Sequence, residues 1–386
     1  MANLTTPTLS VGNNSGSIRE DLADFISNID RDETPVMSSI GSTSASQINH
    51  EWLVDDYNDP VFNAQSENFA FDSSVTGNPA TQLGAVAAGR TRIGNYTQIF
   101  GKQIHVSGSS ISSDTAAVAN EYAYQLKKRG VELRRDKEAQ ILRYNNNAVV
   151  TTSTDNNQGV KSGGGQLVTR RFGSLFSFAG NHSVIGLTGT NTAYIDNNSA
   201  ATGNNVAVGG NLPAAADSAN ANFVTPDGTR TIATTGTSSA ITRDRIEDLL
   251  TTMHLNGGKP TMAVSAAAGK VAISRLFGSD TTTNTADIRR LESMEKKLNL
   301  AITAVMTDFG YDIGFMPNYI MDRFSGADSE VVFYDPSMVK SAVLTPMTTE
   351  EDRTARYGRA GIIYDECSIE VKNPFSVGVV YNADFS

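Results

Sequence analysis

The chain has 386 residues, enough for two or three domains and a sizeable core, and a formal net charge of −10. An acidic chain is a poor general binder of nucleic acid, since affinity for phosphates comes from Lys and Arg. One cysteine, Cys367, excludes an intrachain disulfide, and no apolar run reaches the roughly 20 residues that span a bilayer.

Residues 1–17 are small and polar and read as a flexible arm. They lack the basic start and apolar core of a secretory signal, so none is expected. IREDLADFISNI, residues 18–29, predicts a short amphipathic helix with Ile18, Leu22, Phe25, Ile26 and Ile29 on one face. Pro35 is expected to end any helix. Val36, Met37 and Ile40 should then anchor the chain. HEWLVDDY, residues 50–57, and TRIGNYTQIFGKQIHV, residues 91–106, read as strands. With a long polar tip between them they make an extended hairpin. It has too little apolar sequence for its own core, so it should lean on something outside its own segment.

Residues 112–144 predict one long helix, roughly 45 Å at about 1.5 Å per residue. Ser113 or Asp114 is the expected cap. Ala119, Tyr122, Leu126, Gly130, Leu133, Ile141 and Tyr144 form an apolar stripe, and Gly130 suggests a close contact. The helix is either a structural beam or the core helix of a large domain. Charge is unevenly placed around it. Residues 1–110 hold five basic and twelve acidic side chains, a net −7, whereas residues 126–143 hold seven basic and three acidic, a net +4. Lys128–Glu132 and Arg134–Glu138 are spaced to pair at i, i+4.

Residues 145–240 hold only eight charged side chains and are rich in Gly, Asn, Thr and Ser, so they read as long loops or short strands around one apolar cluster, 167–184. TRDRIEDLLTTMHLNGG predicts a helix capped by Thr242 and stopped by Gly257, with Ile246, Leu249, Leu250 and Met253 facing inward. TMAVSAAA reads as a buried strand, GKVAISRLF as a helix, LNLAITAVM as a strand, and YDIGFMPNYIM as its continuation after a turn at 308–310. EVVFYDPSMVKSAVL and GIIYDECSIEVKNPFSVGVVYNA close the chain with strands. The mixture predicts an α+β fold.

No pattern of catalytic, cofactor-binding or metal-ligating residues emerges. His50, His105, His182 and His254 lie far apart, without metal-ligand spacing. His105 alternates with Ile104 and Val106 and reads as a face residue. Lys161-Ser-Gly-Gly-Gly and Gly257-Gly-Lys-Pro-Thr lack phosphate-loop spacing and read as turns. Asp55, Asp56 and Asp59 lack the spacing of an EF-hand and read as a solvated acidic edge. Cys367, in an alternating strand, reads as a small buried hydrophobe.

The phrases REDLADFISNIDRDETPVMSSIG, HEWLVDDY, NYTQIFGKQIHVSGS, AYQLKKRGVELRRDKEAQIL, IEDLLTTMHLNGGKPT and DFGYDIGFMPNYIM occur in that order. The order resembles the major capsid proteins of tailed phages, with the Hong Kong 97-type fold, over nearly the whole chain except about 186–240. The resemblance implies an N-terminal arm over 1–49, an extended loop over 50–106 and a peripheral domain with a spine helix over 107–150. It further implies an axial domain over 151–340, with an insertion near 186–240, and returning strands over 341–386. The function so implied is non-enzymatic, with no cofactor: self-assembly into hexamers and pentamers of an icosahedral shell. The shell would assemble in the host cytoplasm around packaged double-stranded DNA, touched only by weak non-specific contact. Portal and scaffolding or decoration proteins are the further partners implied, and no membrane. A cellular nanocompartment shell of the same fold and a secreted surface-layer protein or adhesin are the alternatives.

The charge asymmetry adds one expectation from the residues themselves. Asp24, Asp32 and Glu33 of the arm and Asp55, Asp56 and Asp59 of the hairpin are candidates to dock on Lys127, Arg129, Arg134 and Arg135 of neighbouring subunits. The plainer reading is that both sets face water.

Overall fold

The computed structural model describes residues 33–54, 91–113, 118, 120–143, 149–152, 168–179, 206–208, 239–255, 257–278, 304–307, 309–323, 329–352, 357–380 and 383–385. The helix expected over 18–29, the hairpin tip and most of 186–240 lie outside the described residues.

The elements begin with α1 (Pro35–Ser39), β1 (Gly41–Ser44), β2 (Asn49–Val54), β3 (Thr91–Tyr96), β4 (Gln98–Ser107), α2 (Gly108–Ser112) and α3 (Glu121–Ile141). Then follow β5 (Val149–Thr152), β6 (Val168–Arg171), α4 (Leu175–Phe178), β7 (Val206–Val208), β8 (Ser239–Ala240), α5 (Arg243–Leu255), β9 (Met262–Ser265) and α6 (Ala267–Gly278). The chain closes with β10 (Ala304–Met306), β11 (Asp312–Pro317), α7 (Tyr319–Arg323), β12 (Val331–Tyr334), β13 (Val339–Asp352), β14 (Gly358–Val371), β15 (Val377–Val380) and β16 (Ala383–Asp384). Helices and strands alternate irregularly, in a mixed α+β arrangement.

The chain divides into two compact units. One comprises residues 1–31, 102–130 and 349–363. Its described part holds a small apolar cluster in which Ile104 and Val106 of β4 meet Tyr122 and Leu126 of α3. His105 between them is exposed, as strand alternation demands. Arg359 lies over the Tyr122 ring at 4.3 Å and pairs with Glu351.

The other unit comprises residues 32–101, 131–348 and 364–386. Its core is a six-stranded sheet of order β10-β11-β9-β12-β15-β7. Only β11 and β9 run parallel in it; the other pairs are antiparallel. Ile246, Leu249, Leu250 and Met253 of α5 pack there with Ile273 of α6 and with Ile313, Phe315, Val331, Phe333 and Val380 of the strands. Gly257 stops α5 as expected: its φ of 77° is left-handed. The Gly258 N–H then reaches back to the Met253 carbonyl, and the Gly257 N–H to that of His254. These are the two bonds of a glycine-terminated helix end. β2 pairs antiparallel with β3 from Asn49↔Tyr96 to Val54↔Thr91.

Four local expectations are corrected. Pro35 starts α1 rather than ending a helix, since a first-turn position needs no N–H. The helix expected over 112–144 is shorter, spanning the 21 residues of α3, about 31 Å, and the separate short helix α2 precedes it. Its cap is Asn120, whose Oδ1 accepts the Ala123 N–H at 3.1 Å. Ser113 instead ends α2: its backbone is extended and its hydroxyl donates to the Ser109 carbonyl, the competition that keeps serine out of helix interiors. Gly130 marks no close contact, because a Cβ there would meet only Ile363 at 3.8 Å. In YDIGFMPNYIM, the strand stops at Pro317 and Tyr319–Arg323 is helical. Asn318 makes that change by accepting the Ile320 N–H on its own side chain.

Candidate assembly surface

Of the residues expected to dock, Asp24, Asp32, Asp55, Asp56 and Asp59 lie outside the described residues. Glu33 is exposed. Lys127 and Arg134 are exposed on α3, whereas Arg129 and Arg135 are half-buried and already engaged by interactions in the chain. The Arg134 guanidinium donates to the Ser38 hydroxyl at 2.7 Å. Arg134 makes no direct ion pair with Glu138, on which it acts only as a nearby charge.

The reason lies in Glu138. It sits three residues before Ile141 and four before Leu142, on the buried side of α3, and is itself fully buried. Its carboxylate accepts the N–H groups of Val36 at 2.9 Å and Met37 at 2.7 Å, and the Asn318 side-chain amide at 2.8 Å. Those two N–H groups open α1 and have no partner within that helix. One side chain thus satisfies them and fastens α1 and the turn after β11 to α3. Burial pushes the Glu138 carboxyl above its ordinary value of 4.5; the three hydrogen bonds and the nearby Arg134 charge pull the other way without cancelling it. Val36 and Ile40 are buried beside this clamp, as the sequence suggests.

A second set of tethers runs along β14, whose two faces do different work. Asp365 pairs with Lys137 of α3, both buried. Cys367, on the same face, has its thiol pushed up to about 12, first by burial. It is the inert buried cysteine its strand pattern implies. On the opposite face, Glu366 accepts from Thr97 at 2.6 Å and from Arg170 at 2.7 Å. Ser368 donates to the Tyr96 carbonyl at 2.8 Å, and Glu370 meets His50 at 3.0 Å. The His50 contact holds the Glu370 carboxyl below its ordinary value, against the effect of burial. The hairpin base, β2 and β3, is therefore fastened by even-numbered side chains of a strand some 270 residues later in sequence. Asn95 completes the attachment. It is fully buried, accepts the Gly173 N–H at 2.9 Å and donates to the Ile369 carbonyl at 3.0 Å.

Sequence reasoning missed these polar anchors, although one left a trace. The α3 stripe skips a member between Leu133 and Ile141. The residue four from each is Lys137, and it is buried. Among the described residues no group of His, Cys, Asp and Glu is arranged to hold a metal ion, and no helix is long and apolar enough to cross a membrane.

Among the described residues the arrangement is one of tethers, and comparisons with known proteins place the chain in a family. A family model described as SU10 major capsid protein matches residues 3–384. No curated protein matches the chain. A solved structure from Mycobacterium phage Bobi is similar with a TM-score of 0.51 at 10% identity, covering 98% of this chain and 100% of that one. The capsid of a native GTA particle gives 0.51 at 12% identity, covering 96% and 98%. The capsid asymmetric unit of cyanophage A-1(L) gives 0.52 at 11% identity, covering 97% and 99%. At such identities the structures speak for the fold, which is the Hong Kong 97-type fold the sequence resembled. The family model speaks for the chain's membership: it belongs to the SU10 major capsid protein family, the structural capsid proteins of tailed phages.

Proposed function

We propose that this chain assembles with copies of itself into the hexamers and pentamers of an icosahedral shell enclosing packaged double-stranded DNA. The observation that carries the reading is the family match from residue 3 to residue 384. The role is structural and non-enzymatic. Assembly takes place in the host cytoplasm, with portal and scaffolding or decoration proteins as partners. Residues 1–49 serve as the arm, 50–106 as the extended loop, 107–150 as the peripheral domain with its spine helix, 151–340 as the axial domain and 341–386 as returning strands. Weak contacts repeated by symmetry supply the strength of such a shell. The net charge of −10 keeps DNA from adhering to its wall.

The acidic arm and hairpin, through Asp24, Asp32, Glu33, Asp55, Asp56 and Asp59, contact Lys127, Arg129, Arg134 and Arg135 of neighbouring subunits. Each exposed pair contributes only about 0–1 kcal/mol, so the contacts set register rather than hold a subunit alone. The protein expressed alone should give shells or capsomers in negative-stain images and megadalton or capsomer peaks in sedimentation. A species that stays monomeric at every concentration tested would sink the reading. For the docking residues, Arg134→Glu with Arg135→Glu should impair assembly more than it lowers the subunit Tm. Normal assembly at both low and high salt would remove them from the contact.

A further inference from the structure

Two arginines close to one another have no acidic partner among the described residues. β6 carries Arg170 and Arg171 side by side, and strand alternation sends them to opposite faces. Arg170 is satisfied by Glu366 and by the Thr97 carbonyl. Arg171 is not: its Nε is fully buried and makes no hydrogen bond. The end of α3 lies next to it. Gln140, in the last turn of that helix, donates to the carbonyl of Phe172 at 3.1 Å. Three residues later the Arg143 N–H closes a tight turn onto the Gln140 carbonyl. This brings the exposed Arg143 close enough for its charge to act on Arg171. Burial, and then the Arg143 charge, lower the pKa of Arg171 from its ordinary value. A half-buried guanidinium beside a second one is an uncompensated cost unless a counter-charge completes the site. A planar fork of donors with one nitrogen unsatisfied fits an oxyanion, and a carboxylate most directly.

We infer that Arg143 and Arg171 form a receptor for a carboxylate of the acidic segment 20–33 of a second copy of this chain. That segment carries Glu20, Asp21, Asp24, Asp30, Asp32 and Glu33 within 14 residues. A chain of net charge −10 repels a phosphate backbone, which favours the carboxylate over DNA. The inference rests on the self-assembly reading for the presence of a second copy, but the site itself can be tested without a shell.

The probe is a fluorescent peptide of residues 18–33, IREDLADFISNIDRDE, titrated against unassembled subunits. Wild type should bind it at least tenfold more tightly than the Arg143→Gln/Arg171→Gln variant, and the difference should shrink in high salt. A peptide with Asp30, Asp32 and Glu33 changed to Lys should not bind. A melting curve of the variant matching wild type shows that the loss is not misfolding; if it melts early, Arg143→Gln alone gives the same comparison at an exposed position. Equal binding by wild type and variant would overturn the inference. So would indifference to the peptide with loss of binding to a duplex oligonucleotide, which would make this a phosphate site. Absence of particles from wild type would count against the capsid function and leave the peptide result to decide the receptor.

Discussion

The carboxylate of Glu138 accepts the backbone N–H of Met37 at 2.7 Å across 101 residues of sequence. Removing that carboxylate leaves two buried or half-buried N–H groups and the Asn318 amide without their acceptor. Glu138→Ala should therefore lower subunit stability by about 3 kcal/mol in urea denaturation. Asn318→Ala, which removes one bond of the set and the bond to Ile320, should cost about half as much.

The carboxyls of Glu138 and Glu370 should respond to pH in opposite senses. Glu138 has its folded pKa raised above 4.5, so its contribution is fully present below that value and is lost as pH rises through the folded pKa. Glu370 has its folded pKa lowered, so its contribution is present above 4.5 and is lost as pH falls through the folded pKa. Stability-versus-pH curves of Glu138→Gln and Glu370→Gln, each subtracted from wild type, should slope in opposite directions. Parallel difference curves would refute one of the two assignments.

Lys137 and Asp365 form a buried pair between α3 and β14. Changing Lys137 to Met alone should destabilise by about 3–5 kcal/mol, because it strands a buried carboxylate. Changing both, to Met and Leu, should recover most of that loss. A double-mutant cycle by chemical denaturation measures the coupling, and a double variant as unstable as the worse single would show that the pair does more than neutralise itself.

Gly358 has a φ of 137°, and a Cβ there would lie 2.3 Å from the Val106 carbonyl oxygen. Gly358→Ala combines backbone strain with a collision against main chain, which cannot move aside as a side-chain tip does. The expected loss is about 2 kcal/mol or more. Gly41→Ala, where nothing lies within 4 Å of the added atom, is the matched control and should cost far less.

Residues 50–101 contain no lysine; the first in the chain is Lys102. The extended loop proposed above therefore has no amine at its tip with which to form the lysine–asparagine isopeptide of the type member of the Hong Kong 97-type fold. Boiled particles should run as monomers on a denaturing gel. A ladder of multiples would mean that Lys102 or a later lysine crosslinks by another geometry.

Where burial follows simple periodicity, the fold was legible. Ile104 and Val106 point inward with His105 outward, and Ile246, Leu249, Leu250 and Met253 face the sheet, because apolar spacing alone decides both cases. The late start of α3 was not legible from the stripe. It rests on the Asn120 side chain accepting the Ala123 N–H, a local contact that apolar spacing does not record. Glu138 is predicted by its spacing from Arg134 to form an i, i+4 ion pair. Its real partners, Val36 and Met37, are backbone groups 100 residues away, and no spacing rule reaches them. Arg171 was hidden for a similar reason. Its lack of a hydrogen-bond partner at Nε among the described residues appears only when β6 and the end of α3 are brought together.

The alternation along β14 has a genetic consequence. Asp365 and Cys367 on one face and Glu366, Ser368 and Glu370 on the other are assigned by parity alone. Inserting or deleting a single codon within this stretch would exchange the two sets. Lys137 would then face a residue meant for the hairpin base, and Thr97, Arg170 and His50 would lose their acceptors together. A single substitution here disturbs one tether, whereas a one-residue length change disturbs them all at once. Insertions and deletions that leave the protein foldable should therefore fall in pairs within this strand or, far more often, in the connections between elements.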